Sequence, residues 1–390
     1  MSDTNVHRMR LWRDIEWRAV VAAFMLNGLL FGAWAARVPA FKDRFDLDPG
    51  ALGLLLLALA AGAIASFPFA GAFTERLGAS KLTILCALFY APALALIGMA
   101  PTFLTLGLAL GLFGAIHGAM DVAMNGWGAQ VETRTKRSTM SIFHAMFSLG
   151  AGLGAASGFV AVRWGLEPEL HFAAVALIGG VGGLGAMIGT GSSQSGSPTN
   201  HPETPLVALP SGPLVLVGLV AFSASMGEGA MADWSAVFLR FATNASEAQS
   251  ALGYTVFSIS MVLTRLSGGI MVERFGPAVV VRASSATALV GLLIAIISQE
   301  ISFVLVGFAL TGVGYAVVMP LVFARAARDP DVPAGPAIAS VAMLGYGGLL
   351  LGPPVIGFIA QMTNMRLSFL VLAGLAVLAM ILASKLTEPH

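Results

Sequence analysis

Charged residues are scarce in this sequence. Only 11% of its 390 residues are Asp, Glu, Lys or Arg, whereas an ordinary soluble domain has about 25%. A chain with so few charges cannot cover a water-facing surface, and its hydrophobic content of 57% is too high for a disordered protein. The scarcity of charge therefore indicates an integral membrane protein and argues against a soluble enzyme.

Other absences narrow the possible functions. The 21 basic and 20 acidic residues nearly cancel, so the charge balance does not suggest a nucleic-acid partner. Cys86 is the single cysteine, which excludes an internal disulfide. The sequence contains no phosphate-binding loop of the form G-x-x-x-x-G-K-[ST], no metal-ligand motif and no nucleophile elbow. We therefore expect no cofactor, no bound metal and no enzymatic activity.

What the sequence has in abundance is apolar segments long enough to cross a bilayer, which takes about 20 residues each. Twelve such segments predict an all-α membrane protein with twelve transmembrane helices. They cover residues 19–39, 51–73, 80–100, 102–127, 138–162, 168–190, 213–239, 249–272, 277–298, 301–325, 335–360 and 366–385.

The distribution of basic residues predicts the orientation. If the N-terminus is cytoplasmic, 14 of the 21 Lys and Arg residues lie on the cytoplasmic side, six lie on the outer side, and Arg265 lies inside a span. Because cytoplasmic segments carry the excess of Lys and Arg, this bias places both termini in the cytoplasm.

The chain divides into two similar halves. Residues 191–212 are rich in Ser, Gly, Pro and Thr, which is typical of a flexible linker. We expect this linker to be cytoplasmic and to join six-helix bundles at residues 1–190 and 213–390.

An internal repeat supports the division, because GAFTERLG at 71–78 matches GIMVERFG at 269–276, 198 residues later. Gly150 and Gly154 match Gly348 and Gly352 at the same offset, and such a parallel repeat is the plan of one large transporter class.

The residues that end span 2 also carry a family resemblance. Gly71, Glu75, Arg76 and Gly78 resemble the Gly-x-x-x-Asp-Arg-x-Gly motif of the major facilitator superfamily, with Glu in place of the usual Asp. The stretches ARVPAFKDRFDLDPGALG and MSIFHAMFSLGAGLGA are similar to a bacterial branch, the YbjJ type, which in turn resembles the fucose–proton symporters. The resemblance implies a cavity lined by spans 1, 4, 5, 7, 8, 10 and 11, and a proton-coupling carboxylate in span 4, where Asp121 corresponds.

The duplicated motif predicts a gate at the cytoplasmic end. A charge at a helix end can pair with a basic group or with the positive N-terminus of another helix, and such a contact would hold the two bundles together. An ordinary solvated loop charge is the alternative. The residues predicted to form the gate are Gly71, Glu75, Arg76, Gly78, Glu273 and Arg274.

Placing an ionisable side chain within the hydrocarbon core of a membrane costs free energy, and few such residues occur in the predicted spans. In span 4, His117, Asp121 and Asn125 recur every four residues and therefore share one helical face. His144 in span 5 lies at a similar depth, so we expect it to pair with Asp121 if the two faces meet. This pattern predicts proton coupling by Asp121 and His144, with His117 and Asn125 in substrate binding. A structural hydrogen bond that locks the two spans together is the alternative.

The remaining candidates lie in spans 1, 7, 8 and 11. Glu228, flanked by two glycines near the middle of span 7, is expected to bind substrate and to take part in proton coupling. Asn27 and Trp34 of span 1 are expected to contact a polar solute, with interhelical bonding or an interfacial position as the alternatives. Arg265 either balances charge or pairs with Glu228 or Asp121. Finally, Pro353 and Pro354 are expected to interrupt span 11, with a static kink as the alternative.

These features together predict a monomeric secondary active transporter in the bacterial inner membrane, moving a small, polar, sugar-like solute by alternating access, with protons as the expected partner. The alternatives are a proton-driven exporter of amphipathic compounds, which 18 Met and 24 Phe residues would suit, and a non-transporting membrane sensor. Na⁺ in place of H⁺, and either direction of transport, are compatible with the sequence.

Overall fold

Twelve long apolar helices contain most of the residues that the structure describes. The computed structural model describes residues 11–137, 139–188 and 210–387, and these residues contain helices and no strand. Each of the twelve is long and apolar enough to cross a membrane, which confirms the predicted fold class. Spans 1 to 12 are Ile15–Arg44, Pro49–Leu77, Ala79–Gly98, Phe103–Thr135, Met140–Arg163, Pro168–Met187, Pro213–Thr243, Glu247–Phe275, Pro277–Ile297, Ile301–Ala326, Gly335–Met362 and Met365–Leu386.

Local capping residues explain where many of the spans begin. The side chains of Asp14, Asp48, Thr102 and Ser246 each accept a hydrogen bond from a backbone N–H in the first turn of spans 1, 2, 4 and 8. Span 4 continues to Thr135, eight residues beyond the predicted segment, because apolarity alone does not report a helix that extends past the membrane. Most of the predicted linker at 191–212 lies outside the described residues.

The helix pairs of the first half recur in the second half after six spans. Span 1 packs on span 5 and span 7 packs on span 11; span 2 packs on span 4 and span 8 packs on span 10. Spans 3 and 6 pair in the same way as spans 9 and 12. The helices therefore form two pseudo-symmetric six-helix bundles, which meet where span 5 packs on span 8 and span 11 on span 2.

Repeated glycines allow the repeated helix contacts. A Cβ atom at Gly150 or Gly154 would overlap backbone atoms of Met25 or Leu29 in span 1. A Cβ atom at Gly348 would overlap the backbone of Phe222 in span 7. These positions allow the backbones of two helices to touch, which is how small residues promote helix association in membranes.

The interruption expected in span 11 is found in span 10 instead. Span 11 is one continuous helix through Pro353 and Pro354, so that prediction was wrong. A Cβ atom on Gly53 of span 2 would lie 3.1 Å from the Pro353 oxygen and 3.4 Å from Pro354 Cα, so span 2 packs closely against both prolines. Packing against a neighbouring helix makes proline tolerable within a membrane span. Span 10 breaks between Tyr315 and Val318. Pro320 explains the break, because it has no N–H to donate to the Ala316 oxygen, its acceptor in a continuous helix.

Candidate functional site

A cavity of about 260 Å³ lies between the two bundles. Its walls come from spans 1, 4, 5, 7, 8, 10 and 11, the set implied by the family resemblance. It contains most of the ionisable side chains that the sequence places at membrane depth. The lining residues are Phe31, His117, Asp121, Met124, His144, Phe147, Ser225, Glu228, Gly229, Ala232, Tyr254, Arg265, Met319, Phe323, Ala342, Gly345, Tyr346 and Leu349.

Asp121 lies on the cavity wall without a cationic partner. The side-chain amide of Asn125 donates to Asp121 Oδ1 at 3.1 Å and to its backbone oxygen at 2.8 Å. No ion pair to Asp121 occurs within the described ranges. Asn125 itself is not on the cavity wall, so the structure gives it the position of a hydrogen-bond partner for Asp121 rather than of a solute contact.

His117 lies one turn from Asp121 on the same wall. Its Nδ1 is 2.8 Å from the Tyr90 hydroxyl, and its ring stacks on Phe31 with centroids 5.1 Å apart. Tyr254 contacts the other edge of Phe31 at 6.3 Å. His117 is thus part of an aromatic wall that runs from one bundle to the other.

His144 reaches the cavity from span 5 but does not pair with Asp121. Its ring packs edge-on against Phe24, with centroids 5.2 Å apart. No hydrogen bond between His144 and Asp121 is present in the described part of the chain. The two spans do bring both side chains to one cavity, as their matching depths suggested, but the expected direct contact is not formed.

Glu228 and Arg265 form an ion pair at the cavity. Arg265 Nη2 donates to Glu228 Oε1 at 3.2 Å, and the two side chains are 10% and 26% exposed respectively. The other carboxylate oxygen of Glu228 has no hydrogen bond among the described residues, so it is available to a solute. Of the two partners considered for Arg265 from the sequence, the structure selects Glu228.

Two predicted substrate contacts lie away from the cavity. Asn27 is completely buried, and neither polar atom of its side chain has a hydrogen-bond partner in the described residues. Trp34 is 1% exposed and packs against Phe41, with ring centroids 5.4 Å apart. Helix packing turns both side chains into the protein interior, which the spacing of polar residues in span 1 did not indicate.

Tyrosines form a part of the site that sequence reasoning missed. The chain has four tyrosines, of which Tyr254 and Tyr346 line the cavity and Tyr90 bonds to His117. The fourth, Tyr315, packs against the glycine that precedes Glu228. The sequence did contain a signal for them, because tyrosines in membrane proteins are usually found at the membrane interfaces. Tyrosines in the middle of a span therefore indicate a polar site within the membrane.

The cavity walls follow the internal repeat, but their chemistry does not. Positions 198 residues apart line it together: Asp121 with Met319, His144 with Ala342, Phe147 with Gly345, and Phe31 with Gly229. In the first two pairs, only the first-half residue is ionisable. The fold thus supplies equivalent positions, and the sequence makes the two walls chemically different.

The predicted gate residues lie at the ends of spans 2 and 8. Gly78 and Gly276 end these helices at φ +88° and +76°, a conformation that glycine adopts at little cost, and this repeated turn explains both glycines. Their charged neighbours are exposed and make no ion pair among the described residues, and a side chain at Gly71 would meet open space. These four charged residues are Glu75, Arg76, Glu273 and Arg274.

The opposite end of the molecule holds the bundles together. This end, which the charge bias predicts to face outward, is called the outer end below. Arg37 of span 1 pairs with Glu247 of span 8 at 3.3 Å, and Asp43 of span 1 pairs with Arg240 of span 7. A second cavity of about 630 Å³ surrounds the Asp43–Arg240 pair. It is the larger of the two, but its charged groups lie near helix ends, so it is best described as an outer vestibule.

The sequence matches known transporters over its whole length. The family model of the Major Facilitator Superfamily matches residues 19–241 and 214–390. The uncharacterized transporter y4wD of Sinorhizobium fredii is 43% identical, and the alignment covers 95% of this chain and 98% of that protein. An uncharacterized MFS-type transporter of Yersinia pestis is 35% identical over 94% of each chain. Membrane protein MosC of Rhizobium meliloti is 30% identical over 92% of this chain and 88% of its own.

Solved structures share the fold. A point mutant of the nucleoside transporter NupG superposes with a TM-score of 0.77 and 16% identity, covering 95% of this chain and 100% of that one. A bacterial homolog of the human lysosomal transporter Spinster, in an inward-facing and occupied conformation, gives a TM-score of 0.70 and 15% identity over 94% and 95% of the two chains. At such low identity these similarities concern the arrangement of helices alone.

Proposed function

The chain belongs to the major facilitator superfamily of secondary transporters, and we propose that it carries a small, polar, sugar-like solute coupled to protons. The observation that carries the proposal is the contrast between two carboxylates on one cavity. Glu228 is paired with Arg265, whereas the side chain of Asp121 is bonded by the Asn125 amide and has no ion pair among the described residues. A paired carboxylate can keep its charge and bind hydroxyls, and an unpaired one at membrane depth is suited to exchange a proton.

The size and walls of the cavity support a small polar solute. Its volume of about 260 Å³ is just below the roughly 300–1,000 Å³ that small-molecule sites occupy. Phe31, Tyr254 and Tyr346 supply aromatic rings to the cavity wall, and Glu228 and His117 supply polar side chains. The small volume is an argument against the alternative, a proton-driven exporter of amphipathic compounds.

Asp121 is proposed as the proton carrier, with His144 and Glu228 contributing to the same charge balance. The charged form of a carboxylate without a cation nearby requires water or a partner. Protonation of Asp121 would remove that requirement and allow the loaded bundles to move past each other. The resemblance to the fucose–proton symporters through the YbjJ-type branch supports this role.

Alternating access completes the proposal. The two bundles, at 1–190 and 213–390, would rock about the cavity, with the linker at 191–212 between them. The motif residues Gly71, Glu75, Arg76 and Gly78, with Glu273 and Arg274, would close the inner end when the outer end opens. We place the monomer in the bacterial inner membrane with both termini in the cytoplasm.

The decisive experiment is uptake into proteoliposomes with and without an inward proton gradient. The solutes are a panel of radiolabelled neutral monosaccharides and polyols, and an amphipathic dye tests the exporter alternative. We expect accumulation of at least one neutral solute that depends on the gradient. Accumulation of none of these solutes, or extrusion of the dye, would contradict the substrate proposal.

Asp121→Asn separates the coupling role from a structural one. This variant should lose gradient-driven accumulation but keep counterflow of the same solute, because counterflow needs no net proton movement. The matched control is Asp331→Asn, which changes an exposed loop carboxylate. Full accumulation by Asp121→Asn would show that the proton moves elsewhere, and loss of counterflow would show that Asp121 mainly holds the helices.

A further inference from the structure

Arg265 is engaged by residues of both bundles at the cavity. Within its own bundle, Nε donates to the backbone oxygen of Ala316 at 3.2 Å and Nη2 donates to Glu228 at 3.2 Å. Across the boundary, Nη1 donates to the backbone oxygen of His144 at 3.2 Å and to the Ser148 hydroxyl. All three guanidinium nitrogens are therefore bonded, and four different acceptors share one side chain.

The four acceptors lie in three different parts of the protein. The Ala316 oxygen lies in the break of span 10, where the helical hydrogen-bond pattern is interrupted. Glu228 lies on the cavity wall, and Ser148 and His144 lie on span 5 of the other bundle. Ser148 and Glu228 share no hydrogen bond in the described residues, so Arg265 is what joins them.

The contact lies at one end of the interface where spans 5 and 8 pack against each other, which is called the seam below. At the middle of this seam, a methyl group on Gly152 would be 3.0 Å from Ile259 and 3.4 Å from Ser258. Arg265 follows Ser258 by seven residues, which is two helical turns on the same face. Arg265 therefore contacts span 5 on the cytoplasmic side of Gly152, where Arg265 and His144 both line the cavity.

A change in the charge of Glu228 must alter this set of bonds. A guanidinium has its donors in one plane with fixed directions, so it cannot replace one acceptor without moving the others. A solute hydroxyl on Glu228, or a proton that neutralises it, weakens the bond that holds Nη2. The buried guanidinium then needs another acceptor, and its bonds to span 5 change with it.

We infer that Arg265 is a positioning residue that transmits the state of Glu228 to the seam between the bundles. This inference rests on the proposed function, because it takes Glu228 as a solute-binding group. It adds that occupancy of the cavity loosens the contact of spans 5 and 8 through one side chain. A lysine at this position would keep the positive charge, but its three donors radiate from one nitrogen, whereas the bonds of Arg265 come from three separate nitrogens.

Maleimide labelling at the seam tests the inference without any substrate. Cys86→Ala removes the single cysteine, and Ser258→Cys then places a near-isosteric thiol at a position that is 1% exposed. N-ethylmaleimide reacts with this thiol only when the seam opens, and labelling of the protein unfolded in SDS normalises the rate.

The variants compared in this background are Ser148→Ala, Glu228→Gln and the double variant, with Ser223→Ala as the control. Ser223 is a buried serine whose hydroxyl bonds only within its own helix.

We expect Ser148→Ala and Glu228→Gln each to raise the labelling rate, and Ser223→Ala to leave it unchanged. If the two changes acted independently, the labelling rate of the double variant would rise by the product of the two single fold-changes. Because Ser148 and Glu228 share Arg265 as a partner, we expect the rate of the double variant to be about threefold below that product. In an Arg265→Lys background, the labelling rate of the double variant should equal the product of the two single fold-changes.

An unchanged rate in Ser148→Ala, including no reaction in either protein, would overturn the inference. Independent effects in the presence of Arg265 would show that the seam and Glu228 are not coupled through it. A failure of the solute screen leaves these rates unaffected, so the result is separate from the test of the proposed function.

Discussion

At the scale of single residues, partners decide what two similar carboxylates do. Asp121 and Glu228 line the same cavity, yet only Glu228 has a cation beside it. A buried carboxylate with a guanidinium partner remains available as a charged hydrogen-bond acceptor, which suits solute binding. The Asn125 amide bonds to Asp121 without supplying a positive charge, which suits a group that gains and loses a proton.

Glu228→Gln tests this assignment at equilibrium. The change keeps the shape of the side chain but removes the charge-assisted bonds to a solute hydroxyl, each of which contributes about 1.5–3 kcal/mol. We expect the dissociation constant of the solute identified by the uptake screen to rise about tenfold or more. Isothermal titration of the purified protein measures it, and the Asp331→Asn variant serves as the control. An unchanged dissociation constant would remove Glu228 from the binding site.

At the scale of helices, contact between backbones replaces the hydrophobic effect. Lipid tails are as apolar as the side chains, so spans associate through close packing rather than through exclusion of water. Gly150 and Gly154 bring span 5 against span 1. Gly348 brings span 11 against span 7 in the same way, so one contact is used twice in the fold.

Gly154→Ala should destabilise the protein although alanine favours helices. The added methyl group would overlap the Leu29 backbone oxygen and lie 2.8 Å from Ala33 N, and such overpacking costs about 1–3 kcal/mol. The control is Gly182→Ala in span 6, where a Cβ atom meets nothing within 4 Å. We expect the unfolding temperature in detergent to fall for Gly154→Ala and to stay level or rise for Gly182→Ala. Equal temperatures would show that span 1 moves aside without cost.

At the scale of the whole molecule, the two ends differ in how the bundles are joined. The outer end has two ion pairs between bundles, Arg37 with Glu247 and Asp43 with Arg240. It also has span 11 in contact with span 2, where a side chain on Gly357 would overlap the Pro49 oxygen. At the other end the duplicated motif residues are exposed. The structure therefore has its outer end closed, and outward opening requires these pairs to separate.

Glu247→Gln should favour opening of the outer end. Arg37 is 2% exposed and would lose its charged partner, while Glu247 is 32% exposed, so the loss is about 1 kcal/mol. That value corresponds to roughly a fivefold rise in the rate at which a membrane-impermeant maleimide labels Ala360→Cys in the cysteine-free protein. Ala360 lies on span 11, in the wall of the outer vestibule, and is 6% exposed.

The control for this experiment is Glu300→Gln, an exposed carboxylate at the same end that makes no ion pair within the described residues. A labelling rate that is the same in Glu247→Gln and in the parent would show that helix packing alone keeps the outer end closed.

The sequence by itself determined the number of spans, most of their bounds and the repeat. These follow from local properties: twelve runs of apolar residues, capping residues at their ends, and two motifs 198 residues apart. It also selected four residues that do line the cavity, His117, Asp121, His144 and Glu228, because an ionisable group at membrane depth is rare enough to be noticed without a structure.

Only the tertiary structure decided which face of each span meets the cavity. In a membrane both the lipid-facing and the helix-facing sides of a span are apolar, so periodicity does not separate them. For this reason Asn27 and Trp34 were expected at the cavity but lie buried elsewhere, while Tyr254 and Tyr346 were missed. The partner of Arg265 likewise depends on where four spans converge. Which acceptors one guanidinium reaches is a property of the packed helices, and no single segment of the chain contains it.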